Sequence, residues 1–374
     1  MEKNNNIDII NFANVQTPSF LKENLKNGKK YVNYGEDNFF PDQLLEYSDK
    51  SVTHSSCLKL IKLAIGGEGY EVQNEDTKLF LESLDFETDN TSLLEKIADS
   101  LAIFDGFAFE IIWNKKGDKI VEIHLIPFQN LRAGHPDRYG NVLFYYYNSN
   151  WEMYPNSWEE ISTFDPKLSR KNPKQILYCY RKSSKSLCYP IPNYNSSINY
   201  IVNEYELSKH YLSTSVNNFS PSSLISFIGN FSNEERQMIK NKFDNNFVGS
   251  EKSGKHILNF IESIENKTII EPIQTNNVVD LYINSSQESK NQIITANGVT
   301  SPSLISIQDG NSIFGNGDEM LMAWNLFQKV TINSYQKMIE KYMNLILKYA
   351  GFNDVYSIIK FSPIDQNTNT NVEN

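Results

Sequence analysis

The sequence predicts an α+β fold, and three observations carry that prediction. Four short runs rich in β-branched and aromatic residues lie between residues 107 and 181, separated by turn-forming residues. Segments with helical spacing of apolar residues precede these runs and dominate the chain after residue 196. Hydrophobic residues make up 40% of the 374-residue chain and aromatic residues 13%, which is enough to build a sizeable core.

The segment before the strands is predicted to be an arm followed by two helices. Residues 1–40 are rich in asparagine and weakly patterned, so we expect an extended arm that orders only against neighbouring molecules. From Pro41, apolar residues recur at helical spacing up to Gly66 and Gly67, which predicts one long helix with a glycine stop. A second helix is predicted after Thr91, up to the next glycine.

The four β-prone runs predict an antiparallel sheet. They are FAFEIIWN at 107–114, KIVEIHLIPF at 119–128, NVLFYYYN at 141–148 and QILYCYR at 175–181. Together with the two preceding helices they make 41–195 one α+β unit.

The middle of the chain is predicted to contain three helices and two strands. A helix of about six turns covers 196–217. Two S-x-x-E capping boxes, Ser232 with Glu235 and Ser285 with Glu288, each predict the start of a helix. Strand-like runs lie at 257–264 and 267–274, and Gly298 is expected to end the last of these helices.

The chain is expected to end with a long loop, a long helix and a tail. Residues 299–317 are rich in Gly, Ser and Asn, and structureless loops of this length are usually functional. A helix over 318–350 is predicted from an apolar stripe: Trp324, Phe327, Thr331, Tyr335, Met338, Tyr342 and Leu345. The tail, 351–374, is expected to be frayed.

Composition limits the function classes. Net charge is 35 − 45 = −10, which is the wrong sign for a tight binder of duplex DNA. We find no apolar run long enough for a membrane span and no leader pattern, so we expect a protein made and kept in a cytosol, with no membrane partner. Cys57, Cys179 and Cys188 form no CxxC pair and are expected to be buried thiols.

The sequence offers little support for an enzyme, and no cofactor is predicted. Its five histidines are scattered singly, without metal-ligand spacing, and we expect His124 and His210 to be ordinary packed or surface residues. GGEGY at 66–70 and GNGDE at 315–319 lack the features of phosphate-binding loops. Two close carboxylates with raised pKa values in one pocket would favour the alternative of a carboxylate-based hydrolase.

The order of elements resembles the portal proteins of tailed bacteriophages, over about residues 41–350. GFAFEIIWNKKGDKIVEIHLIPFQNLRAG at 106–134 is similar to the strand pair of that family. The segment 221–260 resembles its clip, and SQESKNQIITANGVTSPSLISI with the helix after it resembles its descending stem helix, tunnel loop and channel-lining helix. Unlike many members, this chain has no proline midway along the last helix, where it reads VTINSYQ, and its short tail argues against a helical crown.

The resemblance implies a division of the chain into named parts. It assigns an N-terminal arm to 1–40, a wing to 41–195, stem helices to 196–217 and 284–298, and a clip to 218–283 between them. A tunnel loop, an inner helix and a C-terminal tail follow at 299–317, 318–350 and 351–374.

The resemblance also implies a function. Family members form rings of about twelve copies at one capsid vertex of the virion, assembled in the host cytoplasm, through which DNA is packaged and ejected. Implied partners are double-stranded DNA, contacted without sequence preference, the terminase large subunit, the major capsid protein and a head-tail adaptor. The implied channel residues are Gln308, Asp309, Asn311, Ser312, Phe314, Asn316 and Lys329, and the implied motor-docking residues are Glu234, Glu235 and Lys242. Another head-tail adaptor or tail protein is the alternative within the structural class.

Overall fold

The computed structural model describes residue 23 and residues 28–84, 90–218, 223–247, 256–261, 278–306 and 317–361. The chain divides into two compact units. Unit 1 comprises Met1–Val202 and Asn291–Asn374, and unit 2 comprises Asn203–Lys290. Unit 2 is therefore an insertion in unit 1, and its limits fall inside two of the predicted helices.

Unit 1 begins with four helices and a short strand: α1 (Phe40–Lys50), α2 (Val52–Gly66), β1 (Tyr70–Glu71), α3 (Glu75–Ser83) and α4 (Asn90–Phe104). The prediction of one long helix from Pro41 is wrong because the chain becomes extended at Ser51, with φ −107° and ψ 123°. The Ser51 hydroxyl accepts a hydrogen bond from the His54 amide at 3.0 Å and so caps α2. Helix α3 has no counterpart among the predicted elements.

The next six strands form one sheet: β2 (Gly106–Trp113), β3 (Ile120–Ile126), β4 (Leu131–Ala133), β5 (Phe144–Tyr147), β6 (Glu159–Thr163) and β7 (Lys174–Tyr180). Their order across the sheet is β3-β2-β7-β6-β5-β4. The four predicted strands are confirmed, whereas β4 and β6 were not predicted. The pairing of β6 with β7 is parallel, so the prediction of a purely antiparallel sheet is wrong at that pair.

The following elements are α5 (Ile198–Asn218), β8 (Ser223–Ile228), α6 (Asn233–Phe247), β9 (His256–Ile261) and α7 (Val278–Ala296). Strands β8 and β9 pair in parallel. The predicted strand at 267–274 lies outside the described residues.

Ser285 does not start a helix, because α7 already begins at Val278. The Ser285 hydroxyl instead accepts a hydrogen bond from the Asn203 amide at 3.1 Å, and Ser289 accepts a second one at 2.8 Å. These contacts join α5 to α7 within unit 2.

The last long helix is continuous but not uniformly α-helical. Helix α8 (Gly317–Phe327) passes into a π-helical segment (Gln328–Ile332) and then into α9 (Asn333–Ala350). The predicted stripe is buried up to Tyr335, but beyond it the fully buried apolar residues are Ile339, Met343, Ile346 and Leu347 rather than the predicted Met338, Tyr342 and Leu345. The wider turn of the π segment accounts for this shift of one residue.

The arm and the tail are both partly built into unit 1, contrary to prediction. Tyr31, Val32 and Tyr34 are buried in this chain itself, without any neighbouring molecule. In the tail, β10 (Ser357–Ile358) pairs antiparallel with β1. Residues 351–361 are therefore ordered, and 362–374 lie outside the described residues.

One continuous hydrophobic core fills unit 1. It takes side chains from α1, α2 and α4, from the inner face of the sheet, and from α9, which contacts both α2 and β3. The three cysteines are free and buried, as the sequence predicts. Among the described residues, no helix is both long enough and apolar enough to cross a bilayer.

Candidate functional site

Most of the predicted channel residues cannot be placed. Gln308, Asp309, Asn311, Ser312, Phe314 and Asn316 lie outside the described residues, and Lys329 is exposed on the π segment. The loop was expected to be structureless throughout. Its first part is not, because Pro302–Ile305 forms a 3-10 helix. The hydroxyl of Thr300 donates a hydrogen bond to the carbonyl of Ala323 at 2.6 Å, which fixes this end of the loop against α8.

The π segment is held by the end of α7. The Thr331 hydroxyl donates a hydrogen bond to the carbonyl of Gly298 at 2.8 Å. Gly298 has a φ of +70°, and a Cβ at this position would lie 2.9 Å from the Thr331 hydroxyl oxygen. Both the backbone conformation and the close approach to Thr331 therefore require glycine at position 298. π segments inside α-helices frequently mark functional sites.

A polar cluster ties the start of α9 to the corner between α4 and β2. Asp105 is buried at that corner with a φ of +61°. Its Oδ1 lies 3.6 Å from Nη2 of Arg181, and the same nitrogen donates to the Ser334 hydroxyl at 3.1 Å. The Arg181 guanidinium also stacks on Tyr335, 4.4 Å from the ring centroid.

Burial dominates the ionisation of this cluster. It raises the pKa of Asp105 to about 6, and Arg181 opposes the shift. Burial likewise raises the pKa of Tyr335. The neighbours of Asp105 are an arginine and a tyrosine rather than a second carboxylate, so the cluster lacks the acid pair of a glycosidase.

A groove of about 400 Å³ lies between α1, α4 and β3. Its lining contains a single carboxylate, Asp99, which pairs with Lys62 at 3.2 Å. The His124 ring, also in the lining, is exposed and lies 3.3 Å from Glu122. In the part of the chain that the structure describes, no group of three or more His, Cys, Asp or Glu side chains is placed to hold a metal ion.

The buried side chains of His54 and Arg132 contact other residues of unit 1 and stabilise the fold. His54 packs against Tyr194 with ring centroids 4.3 Å apart, and burial lowers its pKa to about 3. Arg132 is fully buried, and its Nε donates to Oδ1 of Asn38 at 2.7 Å while Nη2 donates to the Asn38 carbonyl at 2.7 Å. Burial lowers the pKa of Arg132. Sequence analysis missed this pair because 94 residues separate its members.

The predicted docking helix is confirmed as a helix, and its capping box is formed. Ser232 N donates to Oε2 of Glu235 at 2.8 Å, and Glu235 N donates to the Ser232 hydroxyl at 3.2 Å. The hydrogen bond from the Ser232 amide to the carboxylate lowers the pKa of Glu235. Glu235 therefore caps the helix. Glu234 is exposed in its first turn, and Lys242 is a residue of the same helix.

Several solved structures are similar to this chain. A chain of the virion of a native gene transfer agent particle is 14% identical, over 85% of this chain and 83% of that one, with a TM-score of 0.57. A chain of the neck of a native gene transfer agent particle, computed with C12 symmetry, is 11% identical over 85% and 84%, with a TM-score of 0.52. The crystal structure of an HK97 family phage portal protein from Corynebacterium diphtheriae is 10% identical over 84% and 95%, with a TM-score of 0.50.

Sequence comparison alone gives no such match. No protein-family model matches the chain. No curated protein matches it either. The three structural matches nevertheless span most of both partners in each comparison, and this chain therefore has the overall mixed α and β fold of phage portal and gene transfer agent particle proteins, as its resemblance to the portal family predicts.

Proposed function

We propose that this chain is a portal protein, a structural subunit that forms a ring at one capsid vertex and encloses the channel for DNA. The observation that carries the proposal is the fold shared over 85% of this chain with a chain of a particle neck computed with C12 symmetry. The subunit catalyses no step itself, and ATP hydrolysis belongs to the terminase that docks on it.

The described elements support the division into parts. The six-stranded sheet and α1–α4 belong to the wing, 41–195. Helices α5 and α7 cover most of the stem helices, 196–217 and 284–298, and β8, α6 and β9 belong to the clip, 218–283. The tunnel loop, 299–317, leads into the inner helix at 318–350, and the C-terminal tail follows at 351–374.

An exposed apolar stripe supports ring formation. Met322, Leu326 and Val330 follow one another at intervals of four residues along α8 and the π segment and are 71%, 52% and 66% exposed. Large side chains so arranged favour a protein contact. In a closed ring each subunit needs such a face to pack on a different surface of the next copy.

The charge of the chain favours passage of DNA without tight binding. Summing −10 over about twelve subunits gives on the order of −120 for a ring, which repels phosphate. The polar loop residues Gln308, Asp309, Asn311, Ser312 and Asn316 then let duplex DNA slide past the constriction, with Phe314 packed at its edge. Lys329 offers a local phosphate contact.

The remaining partners follow from the same assignment. The terminase large subunit and then a head-tail adaptor dock on the clip through Glu234 and Lys242, and the major capsid protein surrounds the ring. The protein resides at the portal vertex of the virion after assembly in the host cytoplasm.

Electron microscopy of the purified protein tests the proposal. We expect rings with an axial channel, and the double variant L326K/V330K should remain folded but fail to assemble. The matched control V52K/L63K changes two exposed residues of α2 in the same way and should still form rings. A strictly monomeric protein at micromolar concentration in low and moderate salt would contradict the proposal, and a ring without a channel would favour a head-tail adaptor.

A further inference from the structure

The exposed face of α9 is almost entirely lysine. Four residues of this helix are exposed, and three of them are Lys337, Lys341 and Lys348. At a rise of about 1.5 Å per residue they are spaced by about 6 Å and 10 Å along the helix. They point in similar directions, because separations of four and seven residues return to one face of an α-helix.

A turn of the sheet extends this row beyond the end of α9. The side chain of Lys119 approaches Gly351, the residue that ends the helix, and its Nζ would lie 3.3 Å from a Cβ at that glycine. Lys119 closes the β2–β3 turn, and Lys115 and Lys116 are exposed in the same turn. We call Lys115, Lys116, Lys119, Lys337, Lys341 and Lys348 the basic strip.

Within the described part of the chain, none of these six lysines forms an ion pair. The carboxylates nearest in sequence have other partners. Asp118 accepts a hydrogen bond from the Asn114 side chain at 2.7 Å, and Glu340 accepts one from the Ile358 amide at 3.1 Å. Asp354 accepts hydrogen bonds from three backbone amides, at 3.2 Å, 2.8 Å and 2.7 Å. By contrast, Lys174 in the same sheet is paired with Glu110 at 2.7 Å.

We propose that the basic strip is a second DNA-contacting surface, which binds the phosphate backbone of duplex DNA without sequence preference. Six lysines without an ion pair among the described residues, of which only Lys341 contacts a ring, that of Tyr342, make a local positive surface in a chain of net charge −10, and such a surface favours an anionic partner. The choice of lysine points to nucleic acid, since protein–protein interfaces are depleted in lysine whereas phosphate contacts are made by lysine and arginine. Lys115, Lys116 and Lys119 lie in the wing and the other three on the inner helix, and none of the six is among the residues assigned to the channel constriction.

The binding is of moderate strength and strongly dependent on salt. Each phosphate neutralised by the strip makes the slope of log K against log salt steeper, that is, more negative by about 0.9. Because the rest of the chain is acidic, the contact releases DNA readily as ionic strength rises. Such a surface retains DNA loosely and does not anchor it.

Fluorescence anisotropy of a labelled random-sequence duplex of about 30 base pairs tests the inference on the full-length protein, since a few phosphate contacts suffice. The double variants K341Q/K348Q and K115Q/K116Q should each weaken DNA binding about tenfold or more at low salt. Each should also make the slope of log K against log salt shallower by about 1.8, because two phosphate contacts are lost. The control K59Q/K78Q makes the same change of charge at two exposed lysines of α2 and α3 and should bind like the unmodified protein.

The outcomes distinguish this inference from the proposed function. Equal binding by strip and control variants, or no binding by the unmodified protein, would overturn it. Polyglutamate is titrated in parallel as a model of an acidic protein. Strip variants that lose the binding of polyglutamate but not of DNA would also overturn the inference, because the partner would then be an acidic protein. Rings are examined on the same samples, so that a monomer that binds DNA through the strip refutes the portal proposal while supporting the inference.

Discussion

The Asp105 carboxyl links protonation to stability at the level of a single residue. Its pKa is raised from 3.8 to about 6, chiefly by burial. Between these values the folded state holds a proton that the unfolded state has lost. The contribution of Asp105 to stability is therefore fully present below pH 4 and is lost as the pH rises through 6.

The variant D105N should remove this loss. Asparagine tolerates the positive φ of this position and carries no charge to bury. We expect its free energy of unfolding to exceed that of the unmodified protein by as much as about 3 kcal/mol at pH 7, from 1.36 kcal/mol per pKa unit, and to match it near pH 3.5. Urea denaturation across this range measures the difference, and two parallel pH curves would contradict it.

Gly298 accepts the hydrogen bond that Thr331 of the π segment donates. The variant G298A should destabilise unit 1 by about 2 kcal/mol, because it strains a positive φ and crowds Thr331. Gly140 is a matched control, with a φ of +81° and open space where a Cβ would lie. The variant G140A isolates the backbone strain, about 1 kcal/mol. Equal shifts of the two variants in thermal denaturation would show that the contact with Thr331 contributes nothing.

Individual residues were predictable where their partners are close in sequence. Ser232 and Glu235 are three residues apart, and their capping box formed as predicted. Ser285 and Glu288 have the same spacing, yet Ser285 bonds to Asn203, which lies 82 residues away. Of the channel residues, only Lys329 lies within the described residues, so their roles stay predictions.

Longer elements were predictable in kind, whereas the short elements α3, β4 and β6 were missed, and limits and faces depended on the tertiary structure. The predicted and the observed stripes of α9 differ by one residue because both members of pairs such as Met338 and Ile339 are apolar. Only the π segment decides which of them turns inward. Similarly, nothing in the apolar pattern marks the extended conformation of Ser51 that separates α1 from α2.

Helix α6 carries a prediction about docking. The variant E234K should leave rings intact but impair the binding of terminase or adaptor, since it reverses an exposed charge on the proposed clip. The variant E75K is matched, because it reverses an exposed charge in the first turn of α3 and so has a similar effect on the helix dipole. Pull-down with the phage's terminase measures the effect, and normal docking of E234K would remove α6 from the motor-facing surface.

At the scale of the whole molecule, the loop between α7 and α8 should be separable from assembly. Deletion of 309–315 leaves both flanking anchors, Thr300 on Ala323 and Thr331 on Gly298, in place. We therefore expect rings to form while packaging or retention of DNA fails. Particle counts and genome length in a complementation assay give the readout. Full-length genomes retained by the deletion variant would show that this loop is a tolerated surface insertion.

The pairing of β1 with β10 sets the order in which unit 1 is completed during translation. Tyr70 is aligned with Ile358, so this pair closes only after Ile358 has left the ribosome. Until then, the sheet and α2 lack the apolar cover that α9 supplies. The nascent chain thus exposes a hydrophobic surface for as long as unit 2 is being synthesised, and it is in this interval that chaperones have most to protect.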